Sequence, residues 1–174
     1  MISPSDICQW LGGTPASIAL HESIWVYPIV ESIHVLTLAV FLGLTLMLDL
    51  RLLGAIMPTV RVSHLIRRLM PWVIGGLVVM LASGALLFYA APVRTYHNVF
   101  FRLKLLFLVT AGVNAALFHV AASRTQTQWD LDARPPLRAR LAGGLSLALW
   151  VAIVLCGRMI AYDWFDQGPA SLPE

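Results

Sequence analysis

Long apolar runs alternate with short polar stretches that carry most of the arginines. A helix that crosses a bilayer needs about 20 mostly apolar residues. Four segments reach that length, at about 27–50, 70–91, 99–122 and 141–162. Each is too long for a buried strand. They predict an all-α fold: one integral membrane domain, built as a bundle of four transmembrane helices. Ahead of the first span, Thr14-Pro15 reads as an N-cap followed by proline at the first helical position. Residues 15–23 predict a short interfacial helix, with Trp25 and Tyr27 as belt residues behind it. Ser5-Asp6 is the expected cap of a still shorter helix that carries Trp10. Pro28 falls near the start of the first span, where its missing N–H costs little. Beyond Tyr162, Trp164 and Phe165 predict a second aromatic belt, followed by a polar tail within 163–174.

Composition narrows the class. Apolar residues make up 59% of the 174 and charged residues 12%, against about 25% charged in soluble domains. That is too little charge to coat a water-facing surface. The net charge is +3, but nucleic-acid binding needs basic residues gathered on one face. Here they punctuate the apolar runs, so they read as topology signals, and nucleic acid is not an expected partner. Arg51, Arg61, Arg67 and Arg68 lie between the first and second spans, and Arg124, Arg134, Arg138 and Arg140 between the third and fourth. The second connection has only Arg94 in its loop. The positive-inside rule then puts the first and third connections in the cytoplasm. Both termini, with segment 1–26, are expected outside, in the inner membrane of a bacterium. Met1 to Gly13 has no basic region and does not read as a cleaved signal peptide. Cys8 and Cys156 form no CxxC motif. Helix contacts in lipid favour small residues. Gly75, Gly76, Ser83 and Gly84, then Ala111, Gly112, Ala115 and Ala116, then Gly143, Gly144, Ala148 and Ala152 are expected there.

Ionisable groups at membrane depth mark the place to look for function. Glu31 and His34 are three apart and share a helix face, with Tyr27 on the same stripe. Arg102 and Lys104 fall at the same depth on the third span, Arg158 about one turn inside the fourth, and Tyr89 near the end of the second. All four helices are thus expected to bring a polar group to one layer near the outer face. In one reading these groups pair off, Glu31 with Arg158 or Lys104, while Arg102 snorkels to the interface. In the other they hold haem b between the first and third helices. His34 would be an axial ligand, with His97 or Lys104 opposite, and Arg102, Lys104 and Arg158 would pair the propionates. His97 precedes Lys104 by seven residues, which is expected to put both on nearly one helix face. The function expected is that of a small cytochrome b-like subunit passing electrons to a partner subunit or a quinone. The alternative is a cofactor-free accessory subunit of a larger respiratory, photosynthetic or transport complex.

A weaker polar layer lies at the arginine-bearing side. Asp49 is expected to pair with Arg67 or Arg68, and His64 and His119 could ligate a second metal or haem. Asn114 is either an interhelical hydrogen bond or part of a quinone pocket. GxSxG, HExxH, P-loop and dinucleotide-turn motifs are absent from the sequence, and the methionines are scattered. No catalytic residue is assigned.

The runs TPASIALHESIWVYPIVESIHVLTLAVFLGLTLMLDLRLLG, RRLMPWVIGGLVVMLASGALLFY and NVFFRLKLLFLVTAGVNAALFH resemble a bacterial four-helix membrane family of unknown function. The resemblance covers about residues 14–120. More distantly, the pattern is similar to the copper-resistance protein D superfamily and the haem-associated four-helix protoporphyrinogen oxidase family. Those place a histidine in the first helix and a lysine in a later one, which the resemblance maps onto His34 and Lys104. The oxidase family's fuller basic and aromatic motifs around its first helix are not present here, so the resemblance implies haem binding rather than oxidase activity.

Overall fold

The structure is a computed structural model that describes residues 3–162, apart from the side chains of 123–128. The aromatic belt and tail expected over 163–174 lie outside the described residues, as does the side chain of Arg124. The described chain is helical throughout: α1 (Pro4–Gly12), α2 (Pro15–Glu22), α3 (Val26–Leu53), α4 (Val62–Ala90), α5 (Pro92–His97), α6 (Val99–Trp129) and α7 (Leu137–Ile160). Four of these, α3, α4, α6 and α7, are long and apolar enough to cross a membrane. Their lipid-facing sides carry exposed Leu, Val and Ile. In water such a surface would be unstable, and in a bilayer it costs nothing.

The spans lie in the spatial order α4, α3, α7, α6. Helix α3 packs along both α4 and α7, α7 packs along α6, and α4 meets α6 only slightly. The α3–α7 seam is tight because Gly143 lets the two backbones approach closely. Phe41 of α3 sets its ring edge-on to Trp150 of α7, centroids 4.7 Å apart. Asn114 donates to the Ala142 carbonyl at 3.0 Å, so the polar residue in α6 ties that helix to α7. Gly76 receives Phe41, whereas Gly43, Gly75 and Gly112 face open space. Ala115 and Ala116 are also exposed. Part of the small-residue set therefore makes no contact inside the chain.

At the arginine end, α3 stops at Gly54, whose left-handed φ of 76° suits glycine and whose amide caps the helix. Arg51, 0% exposed, donates through Nε to the Val60 carbonyl at 2.9 Å and through one NH2 to the Asp132 carbonyl at 3.2 Å. Asp130, at the end of α6, caps α4. Its carboxylate accepts from the Ser63 amide and hydroxyl at 2.7 and 2.6 Å, and its carbonyl accepts from the Val62 amide at 3.2 Å. These bonds satisfy amides that a helix start leaves unpaired. Below the knot, Leu52, Val62, Ala122, Trp129 and Ala139 form an apolar cluster.

The opposite end is covered by α1, α2 and α5. Ser3 and Asp6 form a capping box on α1, two residues earlier than the Ser5-Asp6 cap expected. Thr14 caps α2 as expected. Its hydroxyl donates to Leu11 at 2.7 Å, so the Tyr89 hydroxyl, also 2.7 Å away, must donate to it. Ser17, 1% exposed, donates to the Tyr89 carbonyl at 2.7 Å. Tyr89, expected in the polar layer, therefore anchors α2.

Candidate functional site

The polar layer is built from the end of the bundle that carries α5. His34 sits about 12 Å down α3, eight residues past Val26. Its ring turns toward α4, where Nδ1 meets the Ser83 hydroxyl at 2.8 Å. The Ser83 hydrogen is already committed to the Val79 carbonyl at 2.7 Å, with Met80 at 3.3 Å. A hydroxyl so committed accepts from the ring, which matches the Nδ1-protonated tautomer of the neutral imidazole, and the Met80 carbonyl is a second acceptor beside the ring. Gly84 makes room for this placement, since a Cβ there would lie 3.3 Å from His34 Cε1.

Lys104 is placed on α6 with its ammonium against α7. Its Nζ would lie 3.6 Å from a Cβ at Gly157, and Cys156 is near enough to act on it electrostatically. Lys104 in turn lies within electrostatic reach of His34. Two half-buried basic side chains, each set against a glycine of a neighbouring span, thus share the interior of the bundle. Among the described residues Lys104 has no hydrogen-bond or ion-pair partner.

The other expected members of the layer sit at its periphery. Glu31 is exposed, although only three residues from His34, which is partly buried against α4. Arg102 folds back onto α5, donating through Nε to the Tyr96 carbonyl at 3.1 Å, its guanidinium 5.0 Å from the Tyr96 ring centre. Arg158 donates to the Tyr162 hydroxyl at 2.8 Å and lies 4.8 Å from that ring. Among the described residues neither Arg158 nor Lys104 pairs with Glu31. His97 does not share a helix face with Lys104 as expected, because a helix break separates them. Asn98 adopts extended backbone and caps α6 through its side chain, so His97 ends the separate helix α5 and is exposed. It packs edge-on against Tyr96, 5.4 Å between centroids.

At the arginine end, Asp49 does not face Arg67 or Arg68, which are exposed. It is 4% exposed on the α7 side of α3, bonded to Ser146. His64 and His119 are both exposed. Among the described residues no three His, Cys, Asp or Glu side chains gather as a metal group would require. Asp130 lies outside the spans. Partial burial works against its charge, but the Ser63 hydroxyl and amide, with Arg61 and Arg51 nearby, outweigh it and hold the carboxyl below its ordinary value.

In the sequence Ser83 and Gly84 read as packing residues, and Gly157 was not singled out. Their signal was depth: each falls at the level of His34 or Lys104 on an antiparallel neighbour. No curated protein and no solved structure matches the chain. A family model described as "Family of unknown function (DUF6644)" matches residues 23–163, all four spans, and the chain belongs to that family.

Proposed function

We propose that this chain is a small membrane cytochrome b-like subunit that binds haem b beside His34 and takes part in electron transfer. One observation carries the reading: an imidazole inside a span, held through Nδ1 by Ser83. Neutral imidazole is a common haem iron ligand, and the second nitrogen of a metal-binding histidine is ordinarily held by a hydrogen bond. Ser83 supplies that bond. Of the residues present, His34 could ligate the iron, and Lys104 could ligate it or pair a propionate. Arg102 and Arg158 would have to leave Tyr96 and Tyr162 to take part. The distant resemblance to haem-associated four-helix proteins falls on the same two positions, His34 and Lys104. Bound there, haem would supply one-electron chemistry. The chain's own part would be to ligate through His34, fix the ring through Ser83, leave space at Gly84 and Gly157, and set a positive charge through Lys104.

In this reading the arginine end faces the cytoplasm of a bacterial inner membrane, and α1, α2 and α5 lie outside. The test is a reduced-minus-oxidised absorption spectrum of protein purified from haem-replete cells. Bands of a b-type haem are expected, lost in His34→Ala and altered in Ser83→Ala. Wild-type protein without those bands sinks the proposal.

A second reading, compatible with the first, is an accessory subunit of a larger membrane assembly. Gly75 and Gly112 favour it, because both leave open backbone on the lipid side where a partner helix can approach closely. Gly112→Leu would then release the chain from its assembly during mild-detergent purification. Unchanged association would count against that face.

A further inference from the structure

An apolar groove of about 340 Å³ runs between α3 and α7, in the half of the bilayer next to the arginine end. On α3 it follows Leu42, Gly43 and Leu46 down to Asp49; on α7 it follows Leu155 and Trp150 back to Leu147. Seven residues separate Leu42 from Asp49, so the track is about 10 Å long. Its size is at the small end for ligand sites. Gly43 has no atom within 4 Å of where a Cβ would be, so the groove is open to lipid along this wall.

Asp49 closes one end of the groove, and its surroundings are unusual for an acid in a span. Such groups are ordinarily paired. Among the described residues Asp49 bonds to Ser146 and has no cationic partner. Arg51 is turned away to the Val60 and Asp132 carbonyls, and Arg67 and Arg68 are exposed elsewhere. Arg140 lies seven residues before Leu147 on the same stripe of α7, exposed, about two turns nearer the bundle end.

From this order of groups we infer that the groove is a site for an aminophospholipid of the leaflet at the arginine end. One acyl chain lies along Leu42, Leu46, Trp150 and Leu155. The primary ammonium donates to the Asp49 carboxylate, and the phosphate sits at the level of Arg140. Charge complementarity selects this occupant: an acyl chain alone leaves Asp49 unpaired, and an anionic head would meet its negative charge.

Native mass spectrometry of the detergent-purified protein tests the inference, with phosphatidylethanolamine, phosphatidylcholine of identical chains, phosphatidylglycerol and decylubiquinol as probes. The first two lipids share chains and phosphate, but choline nitrogen has no N–H to donate. Wild-type protein is expected to retain phosphatidylethanolamine about tenfold better than phosphatidylcholine. Asp49→Asn should erase that preference while leaving some binding of both. A Cβ at Gly43 meets nothing within 4 Å, so Gly43→Leu should fold normally, fill the groove and lose both lipids. Equal retention of the two lipids by wild type, or undiminished phosphatidylethanolamine binding in Gly43→Leu, overturns the inference. So does stronger retention of phosphatidylglycerol or decylubiquinol than of phosphatidylethanolamine.

Discussion

Adding one methyl group at Gly143 tests the packing on which the bundle depends. A Cβ at this position would lie 3.0 Å from Leu52 Cβ and 3.0 Å from the Asp49 carbonyl oxygen. Favourable carbon contacts lie at about 3.5–4.0 Å, so α3 and α7 must part by about 0.5–1 Å. Neither obstacle is the far end of a flexible side chain, so no rotamer change relieves the clash. A gap of that size forfeits about a quarter to a half of each dispersion contact along the seam, and overpacking of this kind typically costs about 1–3 kcal/mol. Gly112→Ala is the matched control. It makes the same chemical change in a span where nothing lies within 4 Å, and its helix propensity gain is at most about 1 kcal/mol. Gly143→Ala is therefore expected to unfold more easily than Gly112→Ala by about 2 kcal/mol. Reversible unfolding in mixed micelles, followed by circular dichroism as denaturing detergent is titrated in, measures the difference. Two variants of equal stability would refute the close approach of α3 to α7.

Three further outcomes follow from the two ends of the bundle. Arg51→Leu leaves the Val60 and Asp132 carbonyls without their donor and should cost about 3 kcal/mol; the same titration, with faster proteolysis of the Ala55–Arg61 connection, reads it. Asp130 has a folded-state pKa below its ordinary value, so its contribution is full above the ordinary carboxylate range and is lost as pH falls through the lowered value. Thermal stability of wild type should therefore drop in acid below about pH 4, and Asp130→Asn should flatten that part of the profile; an unchanged profile refutes the assignment. Ser17→Ala removes the bond to the Tyr89 carbonyl, worth about 1 kcal/mol, so amide exchange should rise in Pro15–Glu22 and stay unchanged in the spans.

The four spans were legible because only a bilayer tolerates apolar runs of that length. Their ends were less so. Helix α4 begins at Val62, eight residues before the run that announces it, and α6 continues to Trp129, seven past its own. Polar helical turns beyond the apolar stretch leave no mark in hydropathy. Helix α5 escaped because six residues carry no readable period. Depth could be counted, and it placed His34 and Lys104 at comparable levels. Rotation about each helix axis could not be read, because lipid and core are both apolar and the usual contrast between faces vanishes. Glu31 and Arg102 were therefore expected in one converging layer, with snorkelling as the other reading for Arg102, whereas the structure leaves Glu31 exposed and sets Arg102 against the Tyr96 ring. Gly112 and Gly76 look alike in sequence, yet only Gly76 receives a neighbour.

The buried Arg51 and the half-buried Lys104 have different explanations. Arg51 is spent on structure: two carbonyls accept from it and Asp130 lies nearby. One NH group of Arg51 remains without a partner, a small deficit beside the bonds it makes. Lys104 makes no such bonds among the described residues, yet its ammonium is held inside a span against Gly157. A lysine at the centre of a span costs about 2.5–3.5 kcal/mol on insertion scales; Lys104, five residues into α6, carries part of that cost, and among the described residues no ion pair offsets it. Lys104→Met, which keeps the length of the side chain and removes its charge, should raise the stability of the purified, cofactor-free protein by about 1–3 kcal/mol. It should also weaken whatever ligand the His34 layer takes. Arg51→Leu should move stability the opposite way. If Lys104→Met destabilises the fold instead, the lysine is a structural element of the α6–α7 seam, and the layer around His34 loses its second polar group.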